Sequence, residues 1–295
     1  MKRKQLKRVL PTFIIPGANK SGTSYAAQIL GYHPDIFMSY SKEPSFFSTH
    51  KKFGQYNRGI DFYYKNFVDY KGEKHIGEAS TVYMYDPRSP ELIHRHLGNI
   101  HLIFVLRDPI DRVYSNYWQS IKGGLDLPDF KTFIRSDHSH SKELIDVSRY
   151  DIHLSRYFEY FPHNRVLIRL FDQLKGEPVL FFNAVTEFLN LKPMPESIDY
   201  GKKVNPSSIP RSKIMAKALK YRPFIQTIKE IIPAQWGPIF RNYLVKSRKL
   251  VQVPFTYPEI DPESKKFLID ELYDTIENLE GMLDIDLTIW KSKYI

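Results

Sequence analysis

Two junctions of one kind, near residue 17 and near residue 107, constrain this chain more than any other feature of its sequence. At each, a short apolar run stops at a polar loop and a helical pattern begins at once. Residues 12–16 read as a buried strand entering the loop Pro16-Gly17-Ala18-Asn19-Lys20-Ser21-Gly22-Thr23-Ser24. Thr23 to Leu30 then reads as a helix, with Gly31 and His33-Pro34 as its stop. Ile100 to Leu106 is a continuous apolar run of parallel-strand character. Asp108 follows as a helix N-cap, with Pro109 at the first helical position. His75 to Gly77 reads as the end of another strand, Asp151 to Phe161 as a helix, Arg165 to Leu170 as a further strand and Val179 to Leu189 as a further helix. Leu268, Leu272, Ile276, Leu279 and Leu283 recur at helical spacing and predict a helix with one buried face. Strands alternating with helices predict an α/β fold with a mostly parallel sheet. Ligands of such sheets sit beyond the carboxyl ends of the strands, so the loops after residues 16 and 106 are the places to look.

Composition narrows the options. Aromatic residues make up 15% of the chain, too many to stay solvated, so wholesale disorder is excluded. No repeat or low-complexity linker interrupts residues 1–295, which read as a single domain. No run approaches eighteen apolar residues, so no transmembrane helix is expected. With no cysteine, disulfides and Cys-ligated zinc are excluded. Five Lys or Arg in residues 2–8 precede a short apolar piece, but two prolines break it and no cleaved leader is expected. The net charge of +10 is concentrated: residues 201–250 hold twelve Lys or Arg against one acid, Glu230. Ile214, Met215, Leu219, Phe224, Ile225 and Ile228 interleave with those charges, which reads as a basic helical subdomain at 201–250. Two readings stay open for it: a solvated surface, or a patch for an anionic partner such as a nucleotide, an acidic glycan or an anionic membrane.

The first loop suits an anion. A strand–glycine loop–helix junction aims backbone N–H groups and the positive end of a helix dipole at one point. Lys20 adds a charge, and Thr23 and Ser24 add hydroxyls. The loop departs from a Walker A sequence: Gly17 and Gly22 have that spacing, but Thr23 stands where its lysine would be. In the second loop, Arg107 leaves the strand end and Ser115 lies about two turns into the next helix. A guanidinium and a hydroxyl so placed grip a phosphate from two sides. The simpler alternatives are a salt bridge from Arg112 to Asp108 and a Ser115 hydroxyl bonded to its own backbone.

Lys20-Ser21-Gly22-Thr23-Ser24 resembles the 5′-phosphosulfate loop of sulfotransferases that use 3′-phosphoadenosine 5′-phosphosulfate (PAPS). The run from Arg107 to Ser115 resembles their 3′-phosphate motif, an Arg and a Ser eight residues apart. Tyr32 to Ile36, Lys42-Glu43-Pro44-Ser45-Phe46-Phe47, Gly77-Glu78-Ala79-Ser80, Tyr160-Phe161-Pro162 and Tyr257-Pro258-Glu259-Ile260 are similar to segments of heparan-sulfate and bacterial carbohydrate sulfotransferases, in the same order. The resemblance implies a P-loop-like three-layer fold, a central mostly parallel sheet flanked by helices. It implies transfer of a sulfuryl group from PAPS to a hydroxyl or amine of a glycan, glycolipid or other small metabolite, releasing 3′,5′-ADP without a metal.

By the same resemblance Lys20, Ser21, Gly22, Thr23, Ser24, Arg107 and Ser115 bind the donor. Lys20 also neutralises charge on the departing phosphate, and Glu43 is the acceptor's base. His33, His50 and His75 are the competing bases of the small-molecule branch. Two positions depart from the glycan enzymes: Ala79 stands where several carry Lys, and residues 251–256 lack the basic loop that precedes Tyr-Pro in many relatives. The absence of an anchor and stem reads as a soluble, cytoplasmic enzyme of bacterial type, with peripheral membrane contact through 201–250 and no nucleic-acid partner. The rival readings are a non-catalytic binder of nucleic acid or anionic membrane through the basic stretch, which predicts strong salt dependence, and a P-loop kinase needing Mg²⁺ and ATP. Acceptor identity, O- against N-sulfation and oligomeric state stay open.

Overall fold

The computed structural model describes residues 8–201, 208–210 and 252–294. Of the basic 201–250 stretch, only Gly201 and the backbone of 208–210 fall among them, so the helical subdomain expected there lies outside the described residues. In chain order the elements are β1 (Phe13–Gly17), α1 (Thr23–Leu30), β2 (Ile36–Met38), α2 (Ile60–Tyr64), β3 (His75–Ala79), α3 (Ser89–Leu97), β4 (His101–Leu106) and α4 (Pro109–Lys122). Then follow α5 (Phe130–Ile134), α6 (Ser139–Asp146), α7 (Tyr150–Phe158), β5 (Val166–Leu170), α8 (Phe171–Gly176), α9 (Pro178–Phe188), β6 (Ser208–Pro210), β7 (Gln252–Pro254), α10 (Pro262–Leu283) and α11 (Thr288–Lys291).

The chain divides into two compact units. The first comprises Met1–Arg112, Asp146–Val204 and Leu272–Ile295. It holds a five-stranded sheet in the order β2-β3-β1-β4-β5, with every neighbouring pair parallel. A parallel sheet covered on both faces needs strands that are apolar throughout, and β1 is buried along its whole length. Its side chains alternate between two cores. Phe13 and Ile15, with Ile103 and Val105 of β4, pack against Ala26, Ile29 and Leu30 of α1 and Phe181, Phe182 and Val185 of α9. Ile14, with Leu102, Phe104 and Leu106, packs on the other face with Leu154 and Tyr157 of α7 and Ile276 and Leu279 of α10. This is the three-layer α/β arrangement expected from the sequence.

The strand order fixes where a ligand can sit. From β1 the chain runs through α1 to the β2 edge. From β4 it runs to β5 on the opposite side. Neighbouring strands whose connections diverge leave a crevice at their carboxyl ends, and here those strands are β1 and β4. The two loops singled out in the sequence are the ones that leave this crevice.

The second unit comprises Val113–Ile145 and Asn205–Glu271. Its antiparallel ribbon pairs β6 with β7. Its aromatic core gathers on α4: Trp118 stacks on Tyr257 with ring centroids 5.8 Å apart and meets Phe255 at 4.9 Å. Tyr114 meets Phe130 at 4.8 Å, and its hydroxyl donates to the Pro258 carbonyl at 2.9 Å. Residues 255–258 are therefore fixed by aromatic packing.

Candidate functional site

The loop after β1 is built so that its backbone comes to the surface of the crevice. Gly22 adopts φ 80° as the N-cap residue of α1. A Cβ there would stand 2.8 Å from Leu174 Cδ2, so both backbone conformation and space demand glycine. Gly17 is constrained by space alone, since a Cβ would lie 2.6 Å from the Met84 side chain. Lys20 itself takes a left-handed φ of 67°, a conformation that costs an L-residue roughly 1–2 kcal/mol. No side chain caps α1. The Tyr25 and Ala26 N–H groups donate to the Gly22 carbonyl at 2.9 and 3.0 Å, so it is the Thr23 and Ser24 N–H groups that face the loop with the positive end of the helix dipole.

The loop after β4 meets this one directly. Arg107 Nη1 donates to the Lys20 carbonyl at 3.2 Å, and its guanidinium lies 5.2 Å from the centre of the Phe171 ring. Three buried polar atoms lie beside the loops, Ser21 Oγ, Arg107 Nε and the Tyr150 hydroxyl; Ser21 and Tyr150 interact with each other, and Arg107 Nε has no partner among the described residues. Buried polar groups of native proteins are nearly always hydrogen-bonded, so the unpaired Arg107 N–H at the crevice stands out. Tyr150, the first residue of α7, is buried beside them. Burial pushes its phenol up to about 12, against the pull of Arg112 and Arg107.

Behind these groups stands a fixed frame. The Asp108 carboxylate accepts from the Ile110 and Asp111 N–H groups at 2.9 and 3.1 Å, which is the N-cap read from the sequence. Lys293 lies 3.4 Å from Asp108 and 3.3 Å from Asp111. Burial raises the Asp108 pKa, and the neighbouring Asp111 raises it further. The Arg112 side chain is fully buried. It donates to Ser148 Oγ and Asn19 Oδ1, each at 2.6 Å, so it braces the first loop through Asn19. The four-residue spacing predicts Asp108 as a partner of Arg112, whereas these two bonds run to Ser148 and Asn19. What the sequence lacked was any sign that Asn19, ninety-three residues away, folds back to Arg112. Asn19 and Arg112 are thus supporting residues that the motif reading passed over. A lone Asn in a glycine-bearing loop was the only available hint.

Glu43 sits at the carboxyl end of β3, the neighbour of β1. Its N–H donates to the Ala79 carbonyl at 3.1 Å. Its side chain is part exposed, accepts from Thr81 Oγ1 at 3.4 Å and lies 3.6 Å from Lys42 Nζ. Glu43 and Ser45 both take left-handed φ values, 58° and 54°. Deeper in the same place is a carboxylate that motif reasoning left without a role. Glu78 is wholly buried and accepts hydroxyl bonds from Tyr63, Tyr83 and Ser80. Burial drives its pKa up to about 7 despite those bonds, and the facing Glu43 adds to the rise.

The structure brings Lys20, Ser21, Gly22, Thr23, Ser24 and Arg107 together at the crevice, with Glu43 beside it at the end of β3. Ser115 is buried on α4, in the second unit. The histidines have structural partners. His33 is buried and bonded through its ring to the Lys192 carbonyl and the Asp35 N–H. His75 bonds Thr12 Oγ1 at 3.0 Å. His50 stacks on Phe53 with ring centroids 5.2 Å apart.

Comparison with known proteins agrees with this geometry. The sulfotransferase domain family matches residues 10–216. Human heparan sulfate glucosamine 3-O-sulfotransferase 5 is 28% identical over 198 residues, which are 64% of this chain and 56% of that protein. The membrane-associated sulfotransferase kil1 of Dictyostelium discoideum is 37% identical over 116 residues, 38% of this chain and 24% of that one. The chain thus spans about half, or less, of the length of these curated relatives. In fold it is similar to a sulfotransferase from Alicyclobacillus acidocaldarius, with a TM-score of 0.67 at 22% identity, covering 96% of this chain and 99% of that one. A family match that runs through both crevice loops and the Glu43 segment, on a sheet of the matching architecture, establishes that this chain belongs to the sulfotransferase domain family.

Proposed function

We propose that the protein transfers the sulfuryl group of PAPS to a hydroxyl or amine of a glycan, releasing 3′,5′-ADP. The observation that supports this reading most is the contact between the two crevice loops. The Arg107 guanidinium rests on the Lys20 carbonyl, so a cation of the β4 loop and the uncapped helix of the β1 loop serve one ligand. A compound with anionic groups on both the 3′ and the 5′ oxygen of an adenosine suits two such adjoining sites. Arg107 Nε, unpaired among the described residues, supplies a further donor to it.

In the reaction, the acceptor oxygen or nitrogen attacks sulfur. The new bond to sulfur forms as the sulfur–oxygen bond to the 5′-phosphate breaks, and that electron pair stays on the phosphate oxygen. Lys20 and the amides of residues 21–24 hold the growing charge. Preorganised donors are the largest source of rate in such a step, because they need no reorientation as charge develops. Glu43 takes the acceptor's proton. Its part-exposed carboxylate at the end of β3 lies within reach of an acceptor entering from solvent. A glycan is the acceptor class favoured by the heparan sulfate enzymes among the relatives.

The test is incubation of ³⁵S-labelled PAPS with heparan sulfate, other glycans, glycolipids and phenols. Label is expected on a glycan, with 3′,5′-ADP formed in equal amount. Glu43→Gln is expected to abolish transfer while leaving 3′,5′-ADP affinity within about twofold. Label on phenols alone would move the acceptor class. A chain that binds no 3′,5′-ADP would overturn the reading.

A further inference from the structure

The segment that carries Glu43 is tied to the protein interior at two backbone N–H groups. The Ser45 N–H donates to Ser80 Oγ at 2.9 Å, and the Phe47 N–H donates to Tyr83 OH at 3.2 Å. Each of those hydroxyls gives its own proton to one carboxylate: Ser80 to Glu78 Oε2 at 2.7 Å, Tyr83 to Glu78 Oε1 at 2.9 Å. Tyr63, from α2, gives a third hydroxyl bond to Oε1 at 2.9 Å. Once ionised, this carboxylate is acceptor-only, so it turns every hydroxyl proton inward and leaves the hydroxyl oxygens free to accept from the backbone. Ser45 in turn donates its own hydroxyl to the Glu43 carbonyl at 3.3 Å, and Pro44 between them restricts the one intervening residue. Two relays thus run from a single buried charge to the strand of backbone that holds Glu43 and Ser45 in left-handed φ. Left-handed residues persist only where surrounding structure over-determines them.

We propose that Glu78 is a positioning residue for Glu43, acting through Ser80 and Tyr83 to fix the backbone of residues 43–47 and with it the direction in which the Glu43 carboxylate meets the acceptor. The inference rests on the reading of Glu43 as the acceptor's base. A second carboxylate, Asp86, secures the next stretch: it accepts from the Thr49 and His50 N–H groups at 2.7 and 2.9 Å and from Ser48 Oγ. The two anchors act on different amides, so their effects separate. Uncharged Gln at position 78 carries an NH₂ in place of one oxygen. It has no acceptor to offer the hydroxyl on that side, so at least one relay must reverse or break.

The experiment is amide hydrogen exchange read at Ser45 and Phe47 in the full chain, together with steady-state transfer from PAPS to heparan sulfate. In Glu78→Gln, exchange at one or both amides is expected to rise about tenfold, with exchange in β1 and β4 unchanged. Turnover is expected to fall about tenfold or more, with KM for PAPS and affinity for 3′,5′-ADP within about twofold. Ser80→Ala is expected to loosen Ser45 alone, Tyr83→Phe to loosen Phe47 alone, and Asp86→Asn to loosen 49 and 50 alone. Unchanged exchange at both Ser45 and Phe47 in Glu78→Gln overturns the proposal, as does equal loosening of the whole sheet in all four variants. If Glu43→Gln keeps full transfer, the base reading is what fails. If Glu43→Gln loses transfer while Glu78→Gln keeps it, the positioning role fails alone.

Discussion

At the scale of single residues, the site places its charges unequally. Arg107 is half-buried against Phe171 and spends only one of its N–H groups in the recorded bond to Lys20. In the proposed reading its remaining donors serve the nucleotide, and charge-assisted bonds of this kind are each worth about 1.5–3 kcal/mol. Arg107→Ala is therefore expected to weaken 3′,5′-ADP binding by about 10- to 100-fold, measured by calorimetry, with the folded signal intact. Glu78 gives a second expectation. Its folded pKa is raised from 4.5 to about 7, so the folded state holds the proton more tightly than the unfolded chain. Stability from this group is complete below the unfolded value and is lost as pH climbs through about 7. Urea unfolding of the native chain should therefore show a loss between about pH 5 and pH 8, of order 3 kcal/mol at most, that Glu78→Gln does not share. The histidines His75, His96, His101 and His153, whose pKa values burial lowers, act in the opposite sense at acid pH. The informative quantity is accordingly the difference between the two proteins. A variant that is more stable above neutrality yet slower at transfer separates a functional charge from a merely structural one.

At the scale of elements, the junctions carried the legible signal. The helix read as Thr23 to Leu30 is α1 residue for residue, and Asp108 caps α4 as its side-chain bonds require. These succeed because glycine, Asp-Pro and an apolar run are local, and local chemistry decides them. Gly22 shows how strictly. Gly22→Ala puts a side chain at φ 80° and 2.8 Å from Leu174. It is expected to cost about 1–2 kcal/mol, a fall in Tm of a few degrees by scanning calorimetry, and to lower 3′,5′-ADP affinity by displacing the loop. The elements that escaped were short or depended on distant partners. β2 is three residues long, too brief to display a period of two. The helix read from Asp151 to Phe161 ends as α7 at Phe158, where Tyr160 and Phe161 close a turn on the Tyr157 carbonyl before Pro162. The hydroxyls gathered on Glu78 come from α2, the end of β3 and the turn Thr81–Met84. No spacing in the sequence announces that Tyr63 meets Glu78.

At the scale of the whole chain, alternation of strands and helices predicted the layers but not the strand order. That β1 lies between β3 and β4 is a long-range fact, fixed by which faces bury which side chains rather than by any local motif. Remote residues also hold the first unit together. Trp290 is fully buried, and its indole donates to Asp172 at 3.0 Å. Lys293 reaches Asp108 at the base of α4. Trp290→Ala is expected to cost about 3–5 kcal/mol in urea unfolding, because it empties a large packed site.

The adjacency of β1 and β4 has one more outcome. Phe13 and His101 are register partners eighty-eight positions apart in the chain, so neither loop alone constitutes the docking place proposed for the adenosine compound. Only a chain whose central strands have already zipped together has anything to bind. The nucleotide product should for that reason act as a selective clamp on the finished sheet: added during refolding, it should raise the yield of native protein without hastening the earliest collapse, and should slow the parting of those two strands more than the fraying of the outer ones.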